Sequence, residues 1–280
     1  MSYPSIVLHL DPQPHLPERI DFAIHLAKAF NGHLTGVAAS DRNLFEIALA
    51  TGLSFDVDVA QAIEEARLRA RARAVLFGDR AVVARFADVD SVVDDHDDVV
   101  ALVKRSRCCD LMILARPEGT GGDHARVRRQ VEDVLLQSVA PTLLLPPGRA
   151  MPEIGGHAVV GWNGRPEAVR AVMGALPMLR RARQVTLLQC DAPFDRPQGD
   201  GPPDLELPRA WLARHGVNVD AWIESTAVDP GYVMMDRAQR VGADLIVMGA
   251  WGHWRWSERL FGGATQNVLR NASVPVLMCH

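Results

Sequence analysis

Residues 243–280 read ADLIVMGAWGHWRWSERLFGGATQNVLRNASVPVLMCH, and an earlier stretch answers them. CDLMILA at Cys109–Ala115 parallels ADLIVMGA at Ala243–Ala250, and SVAPTLLLPP at Ser138–Pro147 parallels ASVPVLMCH at Ala272–His280. Asp110 stands 31 positions before Pro141, and Asp244 stands 31 before Pro275. A shared spacing between two shared motifs marks an internal repeat. The match continues upstream. SIVLHLD, ending at Asp11, pairs with HAVVGWN, ending at Asn163. HLTGVAA follows the first and QVTLLQC the second, with 24 positions from Asp11 to Thr35 and 23 from Asn163 to Thr186. From Thr35 to Asp110 is 75 positions, against 58 from Thr186 to Asp244, so the first copy carries an insertion between its second and third strands. The copies span 1–148 and 157–280, joined by PPGRAMPEIGG at Pro146–Gly156, whose prolines and glycines mark a linker.

Within the second copy, apolar runs of strand length alternate with helical stretches. Strands are expected at Ala158–Trp162, Val185–Cys190, Val219–Ile223, Leu245–Met248 and Val274–Cys279. Helices are expected at Pro166–Leu179, Pro208–His215, Gly231–Val241 and Gly263–Asn271, with Pro166 in a first turn and Gly216 as a stop. Unbroken apolar strands between helices imply an α/β fold with a parallel sheet covered on both faces. The first copy repeats the order. Its VAQAIEEARLRARARAVLF, Val59–Phe77, reads as a solvated amphipathic helix rather than a nucleic-acid contact, because glutamates and apolar residues interrupt its arginines.

The chain has 280 residues, 48% of them hydrophobic and 23% charged, the balance of a globular protein of one or two domains. A net charge of −4 supplies no basic field for nucleic acid. No apolar run reaches the roughly 18 residues of a membrane helix. MSYPSIVLHLD has no basic segment ahead of its apolar run, so it does not read as a signal peptide. Cys108, Cys109, Cys190 and Cys279 match neither a zinc nor a thioredoxin spacing, and a reducing cytoplasm is the expected compartment. His9, His15 and His25 have no partners at metal-ligand spacing and read as surface or packing residues. DVDSVVDDHDDVV at Asp88–Val100 lacks the glycine and terminal glutamate of a calcium loop, and reads as a loop leading into an N-capped helix.

The glycines of the second copy carry the chemistry. Gly249 follows a strand directly, at the carboxyl edge where open parallel sheets bind ligands. Gly252 comes three residues later, and Gly262 and Gly263 open the last helix, whose free N–H groups and dipole favour an anion. Thr265 adds a hydroxyl in the first turn, and His253, Arg255 and Arg259 lie between the glycine pairs. The pattern is neither the dinucleotide fingerprint nor a Walker loop. Glycines in such places also serve as turn formers and close-packing devices, and the residues alone leave both readings open.

G-x-x-G, nine residues, then G and a small residue resembles the signature of the nucleotide-binding universal stress proteins. Here it runs through Gly249, Gly252, Gly262 and Gly263. ADLIVMG before it, NVLRNASVPVLMCH after it, and VVGWNGRPEAVRAVMGALPML at 159–179 are similar to the same family. The resemblance implies two tandem Rossmann-like domains of the adenine nucleotide alpha hydrolase-like kind, each a five-stranded parallel sheet flanked by helices. It also implies ATP, alone or with Mg2+, in the second domain. It places Gly161 and Asn163 after the first strand, Cys190 beside the adenine, and Met248 and Gly249 at base and ribose. Gly252, Arg255, Gly262, Gly263, Ala264 and Thr265 would face the phosphates. Two positions depart from the family pattern: Gly263 replaces a hydroxyl residue, and Asn163 replaces an aspartate.

Subtracting 134 carries the glycine positions into the first copy, where Gly249, Gly262, Gly263 and Thr265 become Ala115, Arg128, Arg129 and Val131, and Gly252 becomes Glu118. A copy of the same length without these glycines points to a ligand role for them in the second copy and a degenerate site in the first. The expected function is a stress-response regulator binding an adenine nucleotide. A slow ATPase and a non-binding scaffold are the alternatives. Glu258 is the only carboxylate inside the loop, and no general base stands at a recognisable position. The copies are expected to pair as an intramolecular pseudo-dimer along Thr142–Leu145 and Val276–Cys279, with a homodimer of such chains as a further level. Trp251, Trp254 and Trp256 are read as a lid or subunit contact.

Overall fold

In the computed structural model, residues 2–40, 57–117, 122–148, 153–191, 204–251 and 263–280 are described. The first half runs β1 (Ser5–His9), α1 (Leu16–Phe30), β2 (His33–Ala39), α2 (Val57–Val83), β3 (Val89–Asp94), α3 (Asp98–Ser106), β4 (Leu111–Ala115), α4 (Gly122–Gln137) and β5 (Thr142–Leu145). The second runs β6 (His157–Gly161), α5 (Pro166–Leu179), β7 (Gln184–Asp191), α6 (Glu206–Arg214), β8 (Val219–Ser225), α7 (Pro230–Val241), β9 (Leu245–Gly249), α8 (Gly263–Asn271) and β10 (Val276–Cys279). The strands form one sheet in the order β3-β2-β1-β4-β5-β10-β9-β6-β7-β8. Each half supplies five parallel strands, as the alternation of elements predicts.

Alternate residues of a strand face opposite layers. On β1, Ile6 and Leu8 pack beneath α1 and α2, while Val7 packs with α3 and α4. In the second half α5 and α6 join the first layer, and α7 and α8 the second. Both faces of the inner strands are therefore covered, which is why those strands read as continuous apolar runs, while the edge strands β3 and β8 stay partly exposed.

The ladders preserve the 134-residue offset. Met112, Ile113, Leu114 and Ala115 face Thr142, Leu143, Leu144 and Leu145. Ile246, Val247, Met248 and Gly249 face Val276, Leu277, Met278 and Cys279. Bonds beyond the strands repeat too: the Arg116 amide donates to the Leu145 carbonyl, and the Ala250 amide to that of Cys279.

The halves join where the sequence expectation placed the seam. β5 and β10 pair antiparallel, with Leu277 opposite Leu143, Val276 opposite Leu144 and Met278 opposite Thr142, a pattern symmetric about the central leucines. Further contacts cross between the halves. Tyr3 Oη donates to the Gly174 carbonyl at 2.7 Å, and Arg116 donates to the carbonyls of Leu269 and Arg270 at 2.9 and 2.6 Å, satisfying the open end of α8. The Arg181 guanidinium lies 4.1 Å from the centre of the Phe30 ring. Gly174 permits this approach, since a Cβ there would stand 2.8 Å from Pro141.

The first half departs from the sequence expectation in two places. α2 runs to Val83 rather than Phe77, because Gly78 exposes no contact that would break it and Ala81 still buries against the sheet. The aspartate-rich stretch, expected as a loop leading into a capped helix, instead forms β3, paired to β2, before α3; the expected cap is present, with the Asp97 carboxylate accepting from the Val100 amide at 2.8 Å.

Candidate functional site

The chain order reverses twice in the sheet. In the first half β1 leads outward to β2 and β3, then returns to β4 on its other side; in the second half β6 leads to β7 and β8, then returns to β9. Such a reversal opens a crevice beyond the carboxyl ends of the two central strands. In the second half that crevice lies between Gly161 and Gly249.

Gly161 closes β6, and a Cβ there would stand 2.6 Å from Met234 Cε, reaching in from α7. Asn163 turns the chain toward α5 by accepting from the Arg165 amide at 3.1 Å, with Gly164 at φ +73° completing the turn. Cys190 lies one strand further out, half-buried on β7. Met248 is buried under the crevice. Gly249 has a structural reason to be glycine: a Cβ would stand 2.7 Å from the Ala168 amide nitrogen and 2.9 Å from the Glu167 carbonyl carbon. The start of α5 thus rests directly on the end of β9.

The mouth of α8 forms the far wall. Gly263 and Ala264 open the helix, and Thr265 is buried in its first turn. Thr265 Oγ1 accepts from the Trp251 amide at 3.1 Å. This bond ties the turn after β9, where Trp251 is left-handed at φ 47°, to the helix. The hydroxyl therefore has a structural partner. Gly252, Arg255 and Gly262 lie outside the described residues, as do His253, Trp254, Trp256, Glu258 and Arg259, and Glu118 in the first half.

Four neighbours were not singled out as site residues from the sequence. Asp229 caps α7 by accepting from the Gly231 amide at 2.9 Å, and its other carboxylate oxygen leans on Gly263. Gly231 lets α7 and α8 touch, since a Cβ there would stand 2.6 Å from the Ala264 carbonyl oxygen. Two positive helix ends converge with one carboxylate between them. The Asp229–Pro230 pair after a strand was the available signal for that cap. Glu167, in the first turn of α5, is buried beside Gly249, and its Oε1 has no hydrogen-bond partner among the described residues. Gln189 Oε1, next to Cys190, is in the same condition. Neither was legible, because both depend on how α5 and β7 pack. Among the described residues, no group of three or more His, Cys, Asp or Glu side chains is placed to hold a metal.

The first-half crevice carries different side chains on the same frame. His9 stands where the second half has Gly161, Asp11 stands for Asn163, Ala115 for Gly249 and Val131 for Thr265.

Residues 156–280 match the model of the Universal stress protein family. No curated protein matches the chain. Among solved structures, a universal stress protein from Archaeoglobus fulgidus DSM 4304 is similar over 98% of this chain and 96% of its own, with a TM-score of 0.76 at 17% identity. A functionally unknown protein from Pseudomonas aeruginosa PAO1 is similar over 99% of this chain and 92% of its own, with a TM-score of 0.61 at 16% identity. At such identities the likeness establishes the fold. No described helix is long and apolar enough to cross a membrane. The family match thus falls on the second half, residues 156–280, and the shared fold runs through both.

Proposed function

We propose that the chain is a tandem universal stress protein whose second domain, 157–280, binds an adenine nucleotide, with ATP as the expected ligand, and whose first domain, 1–148, has lost phosphate binding. One observation carries the reading: two crevices on one repeated frame differ in the groups that a phosphate meets. α8 opens on Gly263 and Ala264 beside the family-matched crevice, whereas the same positions of the first half are Arg129 and Gln130, inside a helix that already begins at Gly122. Backbone N–H groups at the mouth of α8 would take the phosphates. Met248 and Gly161 would form the floor under the base. Glu167 Oε1 and Gln189 Oε1 need donors, and an adenosine supplies them through its amino group and ribose hydroxyls.

Asp229 bears on the metal question. A carboxylate against the phosphate cradle repels a bare polyphosphate, and a divalent cation bound with ATP relieves that repulsion. Occupancy would alter the surface formed by the glycine loop and the helix mouths, the basis of a regulatory role in a stress response; a cytoplasmic setting is part of the proposal. Titration calorimetry with ATP, with and without Mg2+, tests it: one site per chain is expected. Two equal sites, or none, would overturn the reading. Phosphate release with Mg2+ separates a regulator, which stays near the chemical background, from a slow ATPase.

A further inference from the structure

The first-half crevice is not filled in. Beyond the carboxyl ends of β1 and β4 it encloses a cavity of about 260 Å3. Its polar wall is built from two buried pairs. Asp11 Oδ1 accepts from Arg19 at 2.6 Å and from the Gln13 amide at 2.7 Å, with both charged side chains almost wholly buried. Asp11 Oδ2 is also buried and has no hydrogen-bond partner among the described residues. His9 Nε2 lies 2.8 Å from Asp98 Oδ1. Burial lowers the pKa of His9, but the charge and hydrogen bond of Asp98 outweigh it and the net shift is upward. Each of these carboxylates therefore has a basic partner, Arg19 for Asp11 and His9 for Asp98.

The opposite wall is apolar. Leu102 of α3, Leu114 of β4, and Val131 and Val134 of α4 line it. Val131 takes the place of Thr265, so no hydroxyl faces a phosphate here. Arg126 stands exposed at the rim. A buried acceptor that lacks a donor, set across from aliphatic side chains with both wall carboxylates already paired to basic groups, defines the chemistry of an occupant. The volume lies slightly below the range of drug-sized sites.

We propose that this cavity is a second binding site, for a compact uncharged molecule that presents an amide or hydroxyl donor to Asp11 and an aromatic or aliphatic body to the apolar wall. The site is independent of nucleotide binding in the second half. Polyphosphates are disfavoured by size and by Val131, which stands where the second half has the Thr265 hydroxyl. Carboxylates are disfavoured because their oxygens would meet Asp11 and supply no donor.

The test uses the full chain with carbon-13 labels in its leucine and valine methyl groups. Benzamide, benzoate and toluene are the probes: one shape, with a neutral donor, a negative charge and no polar group. Benzamide should shift the Leu102, Leu114, Val131 and Val134 methyl signals saturably. Benzoate and toluene should each bind at least about tenfold more weakly, the lower end of the worth of one hydrogen bond to a charged acceptor. Ala115→Phe, which fills the cavity from β4, should abolish the benzamide shifts while leaving a dispersed spectrum. ATP should leave these four signals in place. Absence of benzamide shifts, equal affinity for the three probes, or benzamide shifts that persist in folded Ala115→Phe would each overturn the proposal. Should Ala115→Phe fail to fold, the comparison of the three probes on the unaltered chain decides alone.

Discussion

The two halves share strand spacing, ladder register and even the bonds that end their strands, yet their crevices have diverged in opposite directions. Much of the difference begins with loop length. Residues 10–15 join β1 to α1, whereas only 162–165 join β6 to α5. The shorter loop sets the start of α5 on top of β9, so that Gly249 has no room for a Cβ. The longer loop lets the first half keep Ala115, and folds Asp11 and Arg19 into a buried pair beside an open cavity. A frame fixed by hydrogen-bond register therefore tolerates two unlike crevices, because the groups that line each one come from the loops and helix ends beyond the strands.

The sharpest way to break this comparison is to exchange residues at the strand ends. Gly249→Val should destabilise the chain by about 3 kcal/mol, since the new side chain meets backbone atoms of α5 that cannot rotate away. Ala115→Val, at the matching place, should cost about 1 kcal/mol or less, because the cavity there accepts the added methyls. Urea denaturation of both variants measures the contrast. Equal losses would show that the two strand ends are not packed differently.

Nucleotide affinity gives the next largest effect. Gly262→Val and Gly252→Val should each weaken ATP binding by roughly 100-fold, about 2.7 kcal/mol, by filling the space and hindering the backbone that would cradle phosphates. Calorimetry with unchanged affinity in both would remove the ligand reading of the glycines. Asp229→Asn sharpens the same point: ATP binding without Mg2+ should strengthen severalfold, while binding with Mg2+ changes less.

Much of the frame was legible in the sequence. Equal spacing from Asp110 to Pro141 and from Asp244 to Pro275 reflects equal ladders, because parallel pairing fixes how far apart matching residues can stand. Pro166 and Gly263 marked helix starts because each acts locally. The site was less legible. Gly249 read as an opening for a ligand, and the structure adds the Ala168 and Glu167 backbone pressed against it. Thr265 read as a ligand donor, and it also serves the Trp251 amide. His9 read as a surface or packing residue, yet it pairs with Asp98 from a helix 89 positions away. Pairings of that kind are set by the fold, and no local spacing announces them.

Thr265→Val makes the second half imitate Val131 of the first. It removes the acceptor for the Trp251 amide and should cost about 1 kcal/mol of stability, with a similarly modest loss of ATP affinity. Both are read from the same protein by denaturation and calorimetry. An effect on affinity alone would mean that the hydroxyl serves the ligand and the amide finds another partner.

The smallest effect concerns the histidine that only the first crevice has. His9 is held above the ordinary histidine value of about 6.5 once Asp98 and Asp11 have offset burial and the neighbouring Arg73. The folded state thus holds the His9 proton more tightly than the unfolded chain does. That contribution to stability is fully present below the unfolded value and is lost as pH rises through the raised folded value. Asp98 is shifted the other way: burial raises its pKa, but His9 and Arg73 lower it further, so its contribution disappears only in acid. As pH rises above about 6.5 the unaltered chain should lose stability through His9 with a slope below about 1.4 kcal/mol per pH unit, the limit for one proton. His9→Gln keeps a hydrogen-bonding side chain without the titration and should flatten that slope. His33 is shifted upward by Asp88 and Asp90, and His157 downward by burial, so the difference between the two chains isolates His9 from both. Identical slopes in the two chains would mean that the His9–Asp98 pair contributes no proton-linked stability, and that the two crevices differ in shape but not in this charge.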